Sequence, residues 1–238
     1  MSSFLQPIAA WSEFAAALGV FFCSHAIAAS RRLRGLAIGM VGQPVYQAVY
    51  SLLSLALLYW LIVAARRAPY VALWDAAGWQ YLVPLAAMPI VCVLVACGIK
   101  VANPFSLGGH ADGFAPAAPG IAGVTRHPLL WALALWSMAH IVPNGDLAHV
   151  LLFGLFAVYA ALGALMLDVR RRRVMGEAQW GALSAQTSWF PGTALIAGRW
   201  RPRWHELPLC RILLGLALYA ILLLLHETIT GIAIVSMG

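Results

Sequence analysis

The sequence predicts an all-α membrane protein, a polytopic bundle of about six transmembrane helices. Three observations lead to this prediction. First, 63% of the 238 residues are hydrophobic and only 10% are charged, whereas a soluble domain has about 45–50% apolar and about 25% charged residues. Second, the apolar residues come in long runs. Third, these runs lack the sustained alternation that barrel strands show. The composition argues against a soluble enzyme and excludes a disordered chain.

Six apolar runs are the predicted spans, because a helix needs about 20 apolar residues to cross the hydrocarbon layer. They cover residues 8–29, 44–65, 79–99, 128–142, 147–169 and 212–235. The fourth run is short and begins with Pro128, which suits the first turn of a helix because its missing N–H is not needed there. The chain length fits one integral-membrane domain over residues 1–238.

The arginines predict the orientation of these spans. The net charge is +7, and thirteen of the 15 cations lie in loops on one predicted side, while Arg66 and Arg67 lie on the other. Since cytoplasmic loops are rich in Lys and Arg, we expect that side to be cytoplasmic and both termini to lie outside the cytoplasm of a bacterial inner membrane. Cations between apolar runs favour membrane lipids, and not nucleic acid, as partners.

Two segments connect the spans on the predicted cytoplasmic side. Residues 103–123 are rich in Gly and Pro, and we expect a flexible connector there. Residues 174–203 are polar with scattered Trp, and we expect them to lie along the membrane surface.

Four histidines fall within the predicted spans, where an ionisable residue is costly unless it is paired or functional. They are His25, His140, His149 and His226. Neutral imidazole is a common ligand of haem iron and of metals, and two imidazoles on facing helices can hold a haem. The alternative is a buried histidine bonded to a neighbouring carbonyl or hydroxyl group. His149 follows a turn and can simply face the outer aqueous layer.

The depths of three of these histidines distinguish the possible pairs. At about 1.5 Å per residue from the cytoplasmic edge, His140 lies about 18 Å deep, His226 about 21 Å and His25 about 7 Å. This arithmetic alone favours His140 with His226. A fourth span that starts below the surface would bring His140 nearer to the depth of His25, so both pairs stay open. Trp136 shares a helical face with His140, which suits a flat macrocycle and also ordinary packing.

Arg126 and His127 precede Pro128 at the start of the fourth span. A guanidinium at a helix N-terminus forms an anion site. The candidate anions are a lipid phosphate, a haem propionate and a cofactor carboxylate, and the alternative role is a positive-inside anchor. About 21 Å of helix separates Arg126 from His140, which is long for contact with a propionate.

A set of short motifs resembles the NnrU family, which includes the plant and cyanobacterial zeta-carotene isomerase. The motifs match in order over nearly the whole chain: Ser24-His25, Leu33-Arg34, residues 46–52, Leu73-Trp74, Thr125-Arg126-His127-Pro128, residues 135–140, Asn144-Gly145-Asp146, Asp168, Gly176-Glu177, Thr187-Ser188, Gly198-Arg199 and Leu225-His226.

The resemblance implies a polytopic protein that binds haem b through its iron. The family's ligands carry over to His25 and His140, with His226 as the alternative from depth. In the isomerase branch the haem serves cis-to-trans isomerisation in a poly-cis carotene, which implies a lipid-soluble polyene from the bilayer as substrate. Ser137 stands where the isomerase has a cysteine ligand candidate. The bacterial branch is linked to nitric-oxide and nitrite metabolism, which implies a non-catalytic haem protein as an alternative.

A second resemblance involves the same Arg126-His127-Pro128 segment. It is similar to membrane methyltransferases of the isoprenylcysteine type, where this segment lies at the S-adenosylmethionine site. Gly176-Glu177 with Trp180 is similar to their C-terminal block. This resemblance implies a transferase that uses S-adenosylmethionine and no haem.

Overall fold

The computed structural model describes residues 2–203 and 207–232, without the side chains of residues 2–8 and Arg31. These residues form helices and loops, with two isolated β-bridges and no strand among them. The helices are α1 (Ser2–Ala29), α2 (Arg31–Val41), α3 (Gln43–Arg67), α4 (Leu82–Gly98), α5 (Ile121–Val124), α6 (Pro128–Ile141), α7 (Leu147–Met175), α8 (Glu177–Ser184), α9 (Thr193–Ile196) and α10 (Leu209–Thr230), with a 3-10 turn at Gly78–Tyr81.

Each of the six predicted spans coincides with a helix, and the all-α membrane fold is confirmed. In the described part of the chain, five helices are long and apolar enough to cross a membrane, and α6 is a shorter apolar helix. Helix α7 continues past the predicted end at residue 169 to Gly176, whose φ of 78° ends it. Helix α10 ends at Thr230, and residues 233–235 of the predicted sixth span lie outside the described residues.

Helix α2 is an element that the hydropathy reading did not assign. Ser30, in an extended conformation, separates it from α1. Gly42, with a φ of 79°, separates it from α3. A glycine suits this position because residues with a side chain rarely adopt positive φ. The chain therefore turns twice between its first two long apolar helices.

The chain divides into two compact units. The first runs up to Asp75 and adds Gly145–Leu152. In it α1 packs against α3. Ala17 and Ala64 are fully buried, and such small residues let two helix backbones approach closely. Glu13 is not left unpaired, because it accepts a hydrogen bond from the indole of Trp60 at 3.3 Å.

The second unit comprises Ala76–Asn144 and the chain from Phe153 onward. Helix α4 packs against both α6 and α10. Gly215 explains the closeness of α10, because a Cβ there would lie 2.6 Å from the Cα of Val93. Arg211 donates to the carbonyls of Ala96 and Ile99 at 2.9 and 2.7 Å, which satisfies groups left open at the end of α4.

Helix α6 also packs against α7 within this unit. Trp131 and Ala134 of α6 form a buried cluster with Ala160 of α7. This contact fixes the register of the two helices. As a result, side chains of α7 and of the loops that follow α7 lie next to the two ends of α6.

Candidate functional site

His140 lies near the C-terminal end of α6. Its Nδ1 is 2.8 Å from the carbonyl oxygen of Trp136. A carbonyl only accepts, so Nδ1 carries the proton and the neutral ring has its lone pair on Nε2. The rings of Trp136 and Phe153 lie 5.3 and 5.6 Å from the imidazole, centroid to centroid. The face shared by Trp136 and His140 is thus confirmed.

His25, near the C-terminal end of α1, repeats this pattern in the first unit. Its Nδ1 is 2.8 Å from the carbonyl oxygen of Phe21, so the same tautomer follows. The ring of Phe21 lies 4.3 Å and that of Tyr50 5.7 Å from the imidazole. Metal-binding histidines usually donate their other ring N–H to a carbonyl, carboxylate or water, which orients the ring. Both imidazoles meet this condition.

His149 has a structural role. Its Nδ1 is 2.7 Å from Oδ2 of Asp146, and its backbone N–H donates to Oδ1 of the same carboxylate at 3.2 Å. Asp146 therefore caps the start of α7.

His226 resembles His25 and His140 more closely than His149 does. Its Nδ1 is 3.0 Å from the carbonyl oxygen of Ile232. His226 also lies within electrostatic range of His140, in the same unit. The alternative pair from the depth argument therefore stays open, and so does the assignment of the iron ligands.

The opposite end of α6 carries a buried ion-pair cluster, here called the arginine node: Arg126, His127, Asp168 and Thr187. The Nε of Arg126 lies 3.2 Å from both oxygens of Asp168, and Nη2 completes a forked pair. Nη1 donates to Thr187 Oγ1 at 3.0 Å. His127 Nε2 lies 2.6 Å from Oδ1 of Asp168. The carboxylate of Asp168 is thus hydrogen-bonded to both a guanidinium and an imidazole.

The node is largely buried. The side chains of Arg126 and Asp168 are 11% and 12% exposed, and that of His127 is fully buried. The guanidinium carbon lies 5.8 Å from the ring of Phe105 and 5.4 Å from that of Trp180. These distances are typical of cation–π contacts, which strengthen when the cation is desolvated.

Two loops hold the node in place. Asn103 donates from Nδ2 to the carbonyl of Arg126 at 3.0 Å. The backbone N–H of Arg126 donates to the carbonyl of Ser188 at 2.7 Å. Asn103 and Phe105 are completely buried, so the prediction of a flexible connector is wrong at the start of residues 103–123. The reason is that this segment supplies hydrogen bonds and an aromatic ring to Arg126.

The anion that contacts Arg126 in the structure is a carboxylate of the same chain. The predictions of a lipid phosphate, a haem propionate or an S-adenosylmethionine carboxylate at Arg126 and His127 stay predictions. His127 Nδ1 is buried and has no hydrogen-bond partner among the described residues. With Nε2 donating to Asp168, that Nδ1 is an acceptor.

Asp168 is the member of the arginine node that the sequence reasoning did not assign to a role. Its signal was present, because it is a carboxylate in an apolar run just before four consecutive arginines. An acidic residue at such a position is costly unless it has a partner. The partner itself, 42 residues away in Arg126, is not visible in any local pattern.

The helices and these polar sites define an integral-membrane helix bundle with imidazoles in apolar helices and a buried ion pair at the start of a short helix. The chain belongs to the NnrU family, whose family model, described as NnrU protein, matches residues 13–234. The matched range includes His25, the arginine node, His140 and His226. No curated protein and no solved structure matches the chain.

Proposed function

We propose that this chain is a haem b protein of the bacterial inner membrane that isomerises a lipid-soluble polyene from cis to trans. His140 and His25 are the residues that would hold the iron. The resemblance to the isomerase branch supplies the reaction class. A non-catalytic haem protein linked to nitric-oxide and nitrite metabolism is the alternative within the same family.

The main support for this proposal is the tautomer of the two histidines. His25 and His140 each donate from Nδ1 to the carbonyl of the residue four positions earlier in their helix. That bond fixes the ring and leaves the basic lone pair on Nε2, the nitrogen through which haem proteins bind iron. Iron binds neutral imidazole, so each of the two residues by itself is suited to hold the iron of a haem.

The side chains near His140 have definable roles in such a site. The Trp136 carbonyl orients the imidazole, and the rings of Trp136 and Phe153 keep its surroundings apolar. Asn144 donates from Nδ2 to the carbonyl of His140 at 2.7 Å and holds the helix end. Bound haem would supply Lewis-acid or one-electron chemistry that lowers the bond order of a conjugated double bond.

The absorption spectrum of the purified protein is the first test. We expect a Soret band, and we expect His140→Ala and His25→Ala each to lower haem retention or to leave the iron five-coordinate. His149→Ala is the matched control, because its imidazole is engaged by Asp146. Loss of haem in His226→Ala, with an unchanged spectrum in His25→Ala, would replace the proposed pair with His140 and His226.

The remaining alternatives have their own readouts. Haem-loaded protein should convert a poly-cis carotene in membranes to its trans isomer, and failure to do so with intact ligation would favour the non-catalytic haem protein. A colourless protein that binds S-adenosylmethionine would replace the proposal with the transferase.

The proposed orientation places both termini outside the cytoplasm, as the distribution of arginines indicates. A tag after Gly238 should be reached by a membrane-impermeant reagent from the periplasmic side, and a tag inserted near Gly109 only from the cytoplasmic side. Cytoplasmic reactivity of the C-terminal tag would overturn the orientation without changing the number of helices.

A further inference from the structure

Helix α2 differs in character from the two long helices that flank it. It has eleven residues, about 16 Å of helix, which is too short to cross a bilayer. Both neighbours, α1 and α3, are apolar enough to be spans. Since it joins two spans, α2 begins and ends where the chain leaves the hydrocarbon layer.

The apolar residues of α2 other than Ile38 gather on one face. At about 100° per residue, Leu33, Leu36 and Met40 fall together, with Ala37 and Val41 beside them. Four of these side chains are strongly exposed: Met40 at 79%, Leu36 at 59%, Val41 at 49% and Leu33 at 47%. The described residues therefore leave this face largely uncovered.

Arginines border that face on both sides. On the same helical projection, Arg32 lies at one edge of the apolar face and Arg34 at the other, and both are exposed. The side opposite the apolar face includes Gly35 and Gly39, where an added Cβ would meet no atom within 4 Å. Arginines at such edges can reach outward with the guanidinium while their stems stay on apolar surface.

The charge of α2 indicates what kind of partner covers its apolar face. Helix α2 contains arginines and no acidic residue, so a second copy of α2 packed on it would bring arginine against arginine. The occupant must offer apolar groups in its centre and negative charge at both edges. An anionic phospholipid leaflet has this arrangement, with acyl chains below a layer of phosphates.

We propose that α2 lies in the membrane interface as a binding surface for anionic phospholipids. Leu36 and Met40 insert among the acyl chains, while Arg32 and Arg34 bind headgroup phosphates. This role is independent of haem and of any polyene, and it rests on residues other than the histidines and the arginine node.

Spin labels on the full-length protein in phosphatidylcholine vesicles with phosphatidylglycerol test the placement. A label at Met40→Cys should be relaxed by oxygen, which concentrates in lipid. A label at Gly35→Cys, the matched control on the other face, should respond to a water-soluble nickel chelate. The exposed Cys23 and Cys210 are replaced by Ala in both proteins. Nickel access at Met40 equal to that at Gly35, or spin–spin broadening between copies at Met40, would overturn the proposal.

Phosphatidylglycerol titrated onto the delipidated, detergent-solubilised protein tests the arginines. The double variant Arg32→Gln, Arg34→Gln should bind this lipid roughly 30-fold more weakly, the effect expected when two surface arginines are lost. The double variant Arg32→Lys, Arg34→Lys keeps the charge and should retain most of the binding. Unchanged affinity in the glutamine variant would contradict the assignment. The haem spectrum should be the same in all three proteins, so this result is separate from the test of the proposed function.

Discussion

The polar side chains at the two ends of α6 have opposite kinds of surroundings. At the N-terminal end, Arg126 and His127 share the carboxylate of Asp168 inside a largely buried cluster. At the C-terminal end, His140 makes one backbone hydrogen bond and is otherwise surrounded by aromatic rings. In sequence, both ends presented side chains that suit a cofactor.

The difference shows that a charged motif is not by itself a binding site. A buried charge is stable only when it is paired and hydrogen-bonded, and the arginine node meets that need within the chain. A metal-binding imidazole needs a ring that is held in place by one nitrogen while the other, basic nitrogen stays available to the metal. We therefore expect a structural role for the node and keep His140 as a proposed ligand, and the following changes test that contrast.

Asp168→Asn should have the largest effect on stability. Removing the carboxylate leaves the guanidinium of Arg126 buried without its counter-charge, which costs about 3–5 kcal/mol. Unfolding in a denaturing detergent, followed by far-UV circular dichroism, measures this loss. Haem content per folded molecule should stay unchanged, because the proposed ligands of the iron are histidines outside the node. A variant as stable as the wild type would contradict the structural role.

The control for that change is Glu177→Gln, which breaks a similar forked pair at the surface. The hydrogen bonds from Arg172 lower the pKa of Glu177, so the carboxylate is charged at neutral pH as Asp168 is in its pair. The side chains of Arg172 and Glu177 are 55% and 73% exposed, however, and solvent screens such pairs strongly. We expect no measurable loss of stability.

Arg126→Lys should have an intermediate effect. Lysine keeps the positive charge but lacks the planar fork that binds both oxygens of Asp168 and reaches Thr187. The loss of these charge-assisted hydrogen bonds should cost about 1–3 kcal/mol, measured by the same unfolding assay. Loss of haem from correctly inserted Arg126→Lys protein would instead indicate that Arg126 binds a propionate.

Trp136→Leu, at the other end of α6, should have an effect on stability no larger than that of Arg126→Lys. The change removes aromatic contacts with His140 and Phe153, each worth about 0.5–1.5 kcal/mol, but leaves the backbone carbonyl that orients the imidazole. We expect haem to be retained and the Soret maximum to shift. Haem loss as complete as in His140→Ala would show that the indole itself is essential for holding the group.

Much of the architecture was predictable from the sequence because it depends on local properties. Apolar runs about as long as the bilayer is thick predict helices wherever they occur, and each of the six predicted runs contains a helix in the part of the chain that the structure describes. The tautomer of His140 has the same local origin, because its partner is the carbonyl of Trp136 in the same helix. Helix α2 was missed because a hydropathy reading finds spans, and α2 is short and has three arginines among its first four residues.

What the sequence by itself determined is therefore the membrane fold, the family and the positions of the histidines in apolar helices. Only the tertiary structure decided that the anion facing Arg126 is Asp168 and that residues 103–106 are buried against it. The physical reason is distance along the chain. Arg126 and Asp168 meet because Trp131 and Ala134 of α6 pack on Ala160 of α7, and the register of two packed helices is a property of neither helix alone.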